Sequence, residues 1–205
     1  RGFCAGQDLN DRLSKPGETA VLGGSLEAYY NPLVRKLRAL PFPVVAAVNG
    51  VAAGAGAVIA LAADLRLLAR SASLAFLFTK VGLSGADMGC AYLLPRLVGL
   101  GRATELLLLG ERVDADQAAA LGLANRVVDD AELPKATAEL AGRLADGPAL
   151  AFAATKVLLG RELDLPLSGA LELEAVTQAL LLTSEDHREF YAAFTQGRSP
   201  TWRGR

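Results

Sequence analysis

The sequence predicts an α/β core followed by a helical C-terminal region. Short uncharged runs rich in β-branched residues, of which Val44–Val48 is the clearest, fall in the first half. Helical spacing of apolar residues takes over beyond Gly85. No repeat or low-complexity linker separates the halves, and 52% of the 205 residues are hydrophobic, enough for a large core. The expected division is residues 1–130 for the core and 131–205 for the helical region.

The elements follow in order. Residues 10–25 are polar and Gly-rich and predict a loop. Leu26, Tyr29, Tyr30, Leu33, Val34, Leu37 and Leu40 share helical spacing, and Pro41 and Pro43 end that helix. Val44–Val48 predicts a strand buried on both faces, broken by Asn49-Gly50. A Gly-rich turn through Gly56 leads into a helix over 57–63. Residues 65–69, 74–78 and 124–128 predict further strands. Short helices are expected near 88–94, 102–109 and 115–121. Longer ones are expected near 131–145, 148–160, 167–182 and 185–196.

Composition excludes several functions. Twenty-one Lys and Arg against 22 Asp and Glu leave a net charge of −1, with no basic field for nucleic acid. Cys4 and Cys90 lie far apart, which argues against a disulfide scaffold and for a reducing, cytoplasmic setting. A single histidine, His187, rules out a multi-histidine metal site, and no metal is expected. The uncharged stretch 41–63 is long enough to span a membrane, but Pro41, Pro43, Asn49, Gly50, Gly54 and Gly56 fit a strand, a turn and a helix in series. The chain opens at Arg1 directly on a small-residue loop, so an N-terminal portion is expected before it.

Gly50-Val51-Ala52-Ala53-Gly54-Ala55-Gly56 joins a strand to a helix. Small residues there allow close approach of a backbone or a ligand, and the N–H groups at a helix start suit a polarised oxygen. A dinucleotide turn fails because Ile59 stands where a third glycine belongs, and no Tyr is followed four places on by Lys. Tight helix–strand packing and an oxyanion hole for a thioester carbonyl both remain open.

Two motifs then act together. Phe3-Cys4-Ala5-Gly6-Gln7-Asp8-Leu9 is a second small-residue loop, and Pro43-Val44-Val45-Ala46-Ala47-Val48-Asn49-Gly50 with its Gly-Ala-Gly turn follows about forty residues later. With Leu94-Pro95-Arg96, the Ala118–Ala124 turn and Arg198-Ser199-Pro200, the chain resembles the crotonase (enoyl-CoA hydratase/isomerase) superfamily. The resemblance implies a ββα superhelix (a spiral core) with a C-terminal helical trimerisation region. It also implies that the N-terminal part of the family fold is absent from this chain.

The resemblance implies an acyl-CoA thioester substrate, with coenzyme A part of that substrate and no further cofactor. It implies a homotrimer or a dimer of trimers as partners. It places the oxyanion-hole N–H groups at Gln7 and Ala55, with Ala5, Gly6, Asp8, Leu9, Val51, Gly54 and Gly56 around the substrate. Hydratases of the family use two glutamates, and Val58 and Phe78 stand at those positions here. Asp87, eight residues before Pro95, matches the carboxylate of the family's isomerases. By residue type alone Asp87 also reads as a helix cap. The strongest likeness, at Cys4–Arg12 and Tyr30–Arg35, is to the family's isomerases of aromatic acyl-CoA breakdown. The expected activity is therefore single-base isomerisation. A hydratase with a rearranged site and a non-catalytic acyl-CoA-binding subunit are the alternatives.

Overall fold

The computed structural model describes residues 2–8 and 26–205. Arg1, Leu9 and the loop expected over 10–25 lie outside the described residues. The described chain forms two units. One comprises residues up to 38 together with 44–137, and the other comprises 39–43 with 138–205.

The first unit is built on two three-stranded sheets. A π-helical turn, Leu26–Tyr30, leads into helix α1 (Asn31–Ala39). Strand β1 (Val45–Val48) follows and is uniformly apolar. Asn49-Gly50 turns the chain, and strand β2 (Val51–Ala53) enters the other sheet. Helix α2 (Ala55–Ala62) closes this strand–strand–helix step. Strands β3 (Leu65–Ala69) and β4 (Ser73–Ala75) repeat it. They pair parallel with β1 and β2, in register Val45↔Leu65 and Val51↔Ser73. Each repeat thus lays one strand on each sheet, and this is the ββα spiral. A 3-10 turn (Leu77–Val81) and helix α3 (Cys90–Leu109) complete the second repeat. Strand β5 (Arg112–Asp114) adds antiparallel to β4, helix α4 (Ala115–Ala120) follows, and β6 (Arg126–Val128) adds parallel to β3. Burial follows pairing: in central β3, Leu67 and Leu68 are completely enclosed.

The differences from expectation have local causes. The strand expected over 74–78 ends at Ala75, because its partner β2 ends at Ala53 and Gly54 N donates to the Ala75 carbonyl at 2.9 Å. Phe76 then turns into the core and the chain coils. The Gly-rich turn contains β2, since Val51, Ala52 and Ala53 pair with Ser73, Leu74 and Ala75 of β4. Helix α2 starts at Ala55, two residues earlier than expected. The helices expected near 88–94 and 102–109 are two arms of α3, broken at Gly99 (φ 77°, ψ 160°).

The second unit is helical. Helix α5 (Leu133–Ala145) leads into it, and α6 (Ala149–Glu162), α7 (Leu167–Leu182) and α8 (Glu185–Gln196) follow. Lys156 donates from Nζ to the Phe42 carbonyl at 3.0 Å and ties in residues 39–43. Ser184 caps α8 by accepting from His187 N. His187 is half-buried and packs edge-on against Tyr191. The basic C-terminus is held to the acids of α8. Asp186 accepts from Arg203 N and Gly204 N, and Glu189 accepts from the Arg198 guanidinium and Thr201 N. These bonds hold the Glu189 carboxyl down at about 2, the Arg198 side-chain bond being the main cause.

Among the described residues no helix is long and apolar enough to cross a membrane.

Candidate active site

The two small-residue loops meet. Cys4 bridges to Ala52 alongside β2. Phe3 N and Cys4 N both donate to the Val51 carbonyl, at 2.9 and 3.2 Å, and Ala53 N donates to the Cys4 carbonyl at 2.9 Å. The first loop is therefore an added edge of the second sheet. Its partner face is kept open by Gly56: a Cβ there would lie 2.1 Å from the Cys4 carbonyl oxygen. Only a residue without a side chain lets α2 start this close to the loop.

This docking brings Gly6 against the start of α2. A Cβ on Gly6 would sit 3.6 Å from Ala55 N. Ala55 is the first residue of α2, so its N–H has no carbonyl within the helix to donate to. Positive dipole and N–H groups thus converge where the loop passes.

A cavity of about 140 Å3 opens at that point. Ala5, Gly6, Gln7, Gly54 and Ala55 line one side. Leu26 and Tyr30 come from the π-helical turn, Leu77, Phe78 and Val81 from the 3-10 turn, and Leu83, Asp87 and Met88 from the segment before α3. Asp87 is the one carboxylate among the described lining residues. Its Oδ1 is buried.

Asp87 does not occupy the cap position of α3. Gly89 does, and the Asp87 main-chain carbonyl accepts from Cys90 N at 2.7 Å. Between them Met88 is held at φ 50°, an uncommon conformation for a residue with a side chain. Cys90 is fully buried beyond this turn. Burial, with a smaller contribution from the negative charge of Asp87, pushes its thiol up to about 12. That leaves Cys90 a packing residue and not a nucleophile.

The structure brings together six of the residues singled out in the sequence: Ala5, Gly6, Gln7, Gly54, Ala55 and Asp87. Val51 lies in β2 and Gly56 in α2, both behind the cavity, and neither lines it. Asp8 is exposed outside the lining. Leu9 falls outside the described residues. Of the two positions where hydratases carry glutamate, Phe78 faces the cavity and Val58 is enclosed in the core. Sequence reasoning did not assign Leu26, Tyr30, Leu77, Val81, Leu83 and Met88 to the site. The four-residue spacing of Leu26 and Tyr30 was the available signal.

Fold and cavity together define a class: a spiral of ββα units that sets backbone N–H groups and a carboxylate around an apolar cavity. The chain matches the enoyl-CoA hydratase/isomerase family over residues 1–205 and belongs to it. It is 46% identical, over 206 aligned residues, to the 1,2-epoxyphenylacetyl-CoA isomerase of Escherichia coli (strain K12). That alignment covers 100% of this chain and 78% of the relative. A probable enoyl-CoA hydratase of Rhodobacter capsulatus is 42% identical over 205 residues, again 100% of this chain and 78% of the relative. A crystal structure from Streptomyces coelicolor A3(2), of a protein provisionally assigned as an enoyl-CoA hydratase, superposes with a TM-score of 0.94 at 55% identity. It covers 100% of this chain and 75% of that one.

Proposed function

We propose that the protein is an acyl-CoA isomerase of this family, working with Asp87 as its single acid/base. The observation that carries the reading is the cavity in which Asp87 is the one carboxylate among the described lining residues, with Phe78 where a hydratase carries glutamate. Water addition needs groups to activate the water and to protonate the adjacent carbon. Isomerisation needs one group that takes a proton and returns it.

The reaction balances within this site. The thioester oxygen accepts hydrogen bonds from Ala55 N–H and Gln7 N–H. The Asp87 carboxylate takes a proton from the carbon next to the thioester. The electron pair moves onto the thioester oxygen and leaves a dienolate. Asp87 then returns the proton to a carbon further along the acyl group, and the double bond shifts. Two backbone donors stabilise the charge of the intermediate, each worth roughly 3–4 kcal/mol in a dry site.

The substrate is an acyl-CoA thioester, with coenzyme A part of it. The ring-epoxide thioester named for the Escherichia coli relative is the first to offer, with simple 3-enoyl thioesters second. A role in aromatic or fatty-acid catabolism follows. The second unit leaves Leu163, just past α6, and Leu167 and Leu180 of α7 mostly exposed, which supports assembly as a trimer or a dimer of trimers.

Asp87→Asn tests the reading. The variant is expected to bind acyl-CoA normally and lose turnover by about a hundred- to ten-thousand-fold. Product mass is followed in parallel: isomerisation leaves it unchanged, hydration adds one water, hydrolysis releases free CoA. Undiminished turnover in Asp87→Asn, or a hydrated product, overturns the single-base isomerase.

A further inference from the structure

The cavity has the size of a ring. Its volume is about 140 Å3, and an apolar cavity of roughly 150 Å3 is enough to hold benzene. Its walls are mainly apolar and include two aromatic side chains, Tyr30 and Phe78. Aromatic faces and edges favour a planar ring over a chain of the same carbon number. A chain would also surrender rotatable bonds on binding, and a ring has few to lose.

The wall that carries Tyr30 is unusual. Leu26–Tyr30 is a π-helical turn, a rare form found frequently at functional sites. It directs Leu26 and Tyr30 to the cavity. Tyr29, between them, is 73% exposed. The turn therefore sorts two adjacent tyrosines into one that meets solvent and one that meets the acyl group.

We infer that this cavity selects a compact six-membered ring on the acyl group, and that Tyr30 is the residue that makes the selection. The inference rests on the acyl-CoA reading of the same cavity. A ring seated against Tyr30 is confined within the space that Asp87 lines, whereas a flexible chain is held less firmly there.

The experiment measures binding without chemistry. Phenylacetyl-CoA and octanoyl-CoA carry acyl groups of equal carbon number, and neither has a chain double bond to move. Calorimetry is run with the full chain and with Tyr30→Leu and Tyr30→Phe. The unmodified protein is expected to favour phenylacetyl-CoA by about tenfold. Tyr30→Leu removes most of that preference, weakening phenylacetyl-CoA far more than octanoyl-CoA. Tyr30→Phe keeps the preference. A merely structural Tyr30 would instead weaken both thioesters equally and lower the thermal midpoint. Equal affinities in the unmodified protein, or a preference that survives Tyr30→Leu, overturn the inference. If neither thioester binds, the acyl-CoA reading falls and this falls with it. A ring preference without turnover of any thioester supports this inference and removes the isomerase.

Discussion

Gly56→Ala separates sequence propensity from tertiary packing, because the two predict opposite signs. Position 56 is the second residue of α2. In a helix Ala is favoured over Gly by about 0.8–1.0 kcal/mol, so propensity alone expects stabilisation. The structure expects the reverse. The new Cβ would meet the Cys4 carbonyl oxygen at 2.1 Å and the Cys4 carbonyl carbon at 2.8 Å, so backbone must move. The Cys4 segment is the part free to leave. Leaving breaks the bonds from Phe3 N and Cys4 N to Val51 and from Ala53 N to Cys4. At about 0.5–1.5 kcal/mol for each of the three, less the helix gain, the net loss is about 0.5–3.5 kcal/mol. For a chain of this size that lowers the thermal midpoint by roughly 1–14 °C. The functional loss is larger, because Gly6 and Gln7 move away from Ala55. Loss of one backbone donor to the developing oxyanion costs about a hundred- to a thousand-fold in turnover. Thermal unfolding by circular dichroism and steady-state turnover of the acyl-CoA substrate measure the two effects. A midpoint at or above the starting value with turnover intact would refute the packing argument.

Three further outcomes are expected. Ala55→Pro removes the N–H while the chain still folds, since proline is at home in the first position of a helix and Gly54 (φ 51°, ψ −120°) holds the mirror image of the extended conformation proline imposes on its predecessor. Turnover falls by about a hundred- to a thousand-fold, and retained turnover in a folded variant removes Ala55 from the oxyanion hole. Glu189 is depressed from its ordinary 4.5 to about 2, so its contribution to stability is complete above 4.5 and is lost as pH falls through about 2. Glu189→Gln should therefore flatten the acid side of the stability curve in that window, and an unchanged pH dependence counts against the C-terminal latch. Cys90, with its thiol at about 12, should resist alkylation at neutral pH in the native protein and react only after denaturation. Native-state labelling of Cys90, read by mass of its peptide, would contradict the burial assigned to it.

Elements with length and periodicity were legible in the sequence. Helices α7 and α8 begin and end where the spacing placed them, as does β3. The short strands were not. In β2, two of three residues are alanine and the flanks are Gly50 and Gly54, so the segment reads as a turn. It becomes a strand only because β4 and Cys4 pair with it from either side. Strand β5 has one buried residue, Val113, between two exposed charges, and owes its pairing to β4. The site divided in the same way. Residues that act through backbone, such as Gly6 and Ala55, left a small-residue signature. Asp87 was found by its distance from Leu94-Pro95-Arg96. The apolar wall had no signature, because Leu83 and Val81 are ordinary apolar residues until the chain folds them around a space.

The placement of Asp87 shows why that space has the character it does. A carboxylate set against an apolar wall needs a backbone that places it there. The chain holds it with a turn that is itself unfavourable. Met88 sits at φ 50°, a left-handed conformation that costs a residue with a side chain about 1–3 kcal/mol. The same residue is 4% exposed, and burying a methionine side chain contributes about 1.5–3 kcal/mol. The two magnitudes are comparable, so the turn persists because its strained residue is also anchored. Gly85 secures the other flank: a Cβ there would lie 2.8 Å from the Leu107 carbonyl, so the loop lies directly on α3. The backbone on either side of Asp87 is thus held in place. The N–H of Ala55 follows the same logic, since Gly56 and the Cys4 pairing hold the start of α2 against the first loop. Both polar components of the cavity are set by packing outside it, and this is the pre-organisation that stabilising a transient negative charge requires.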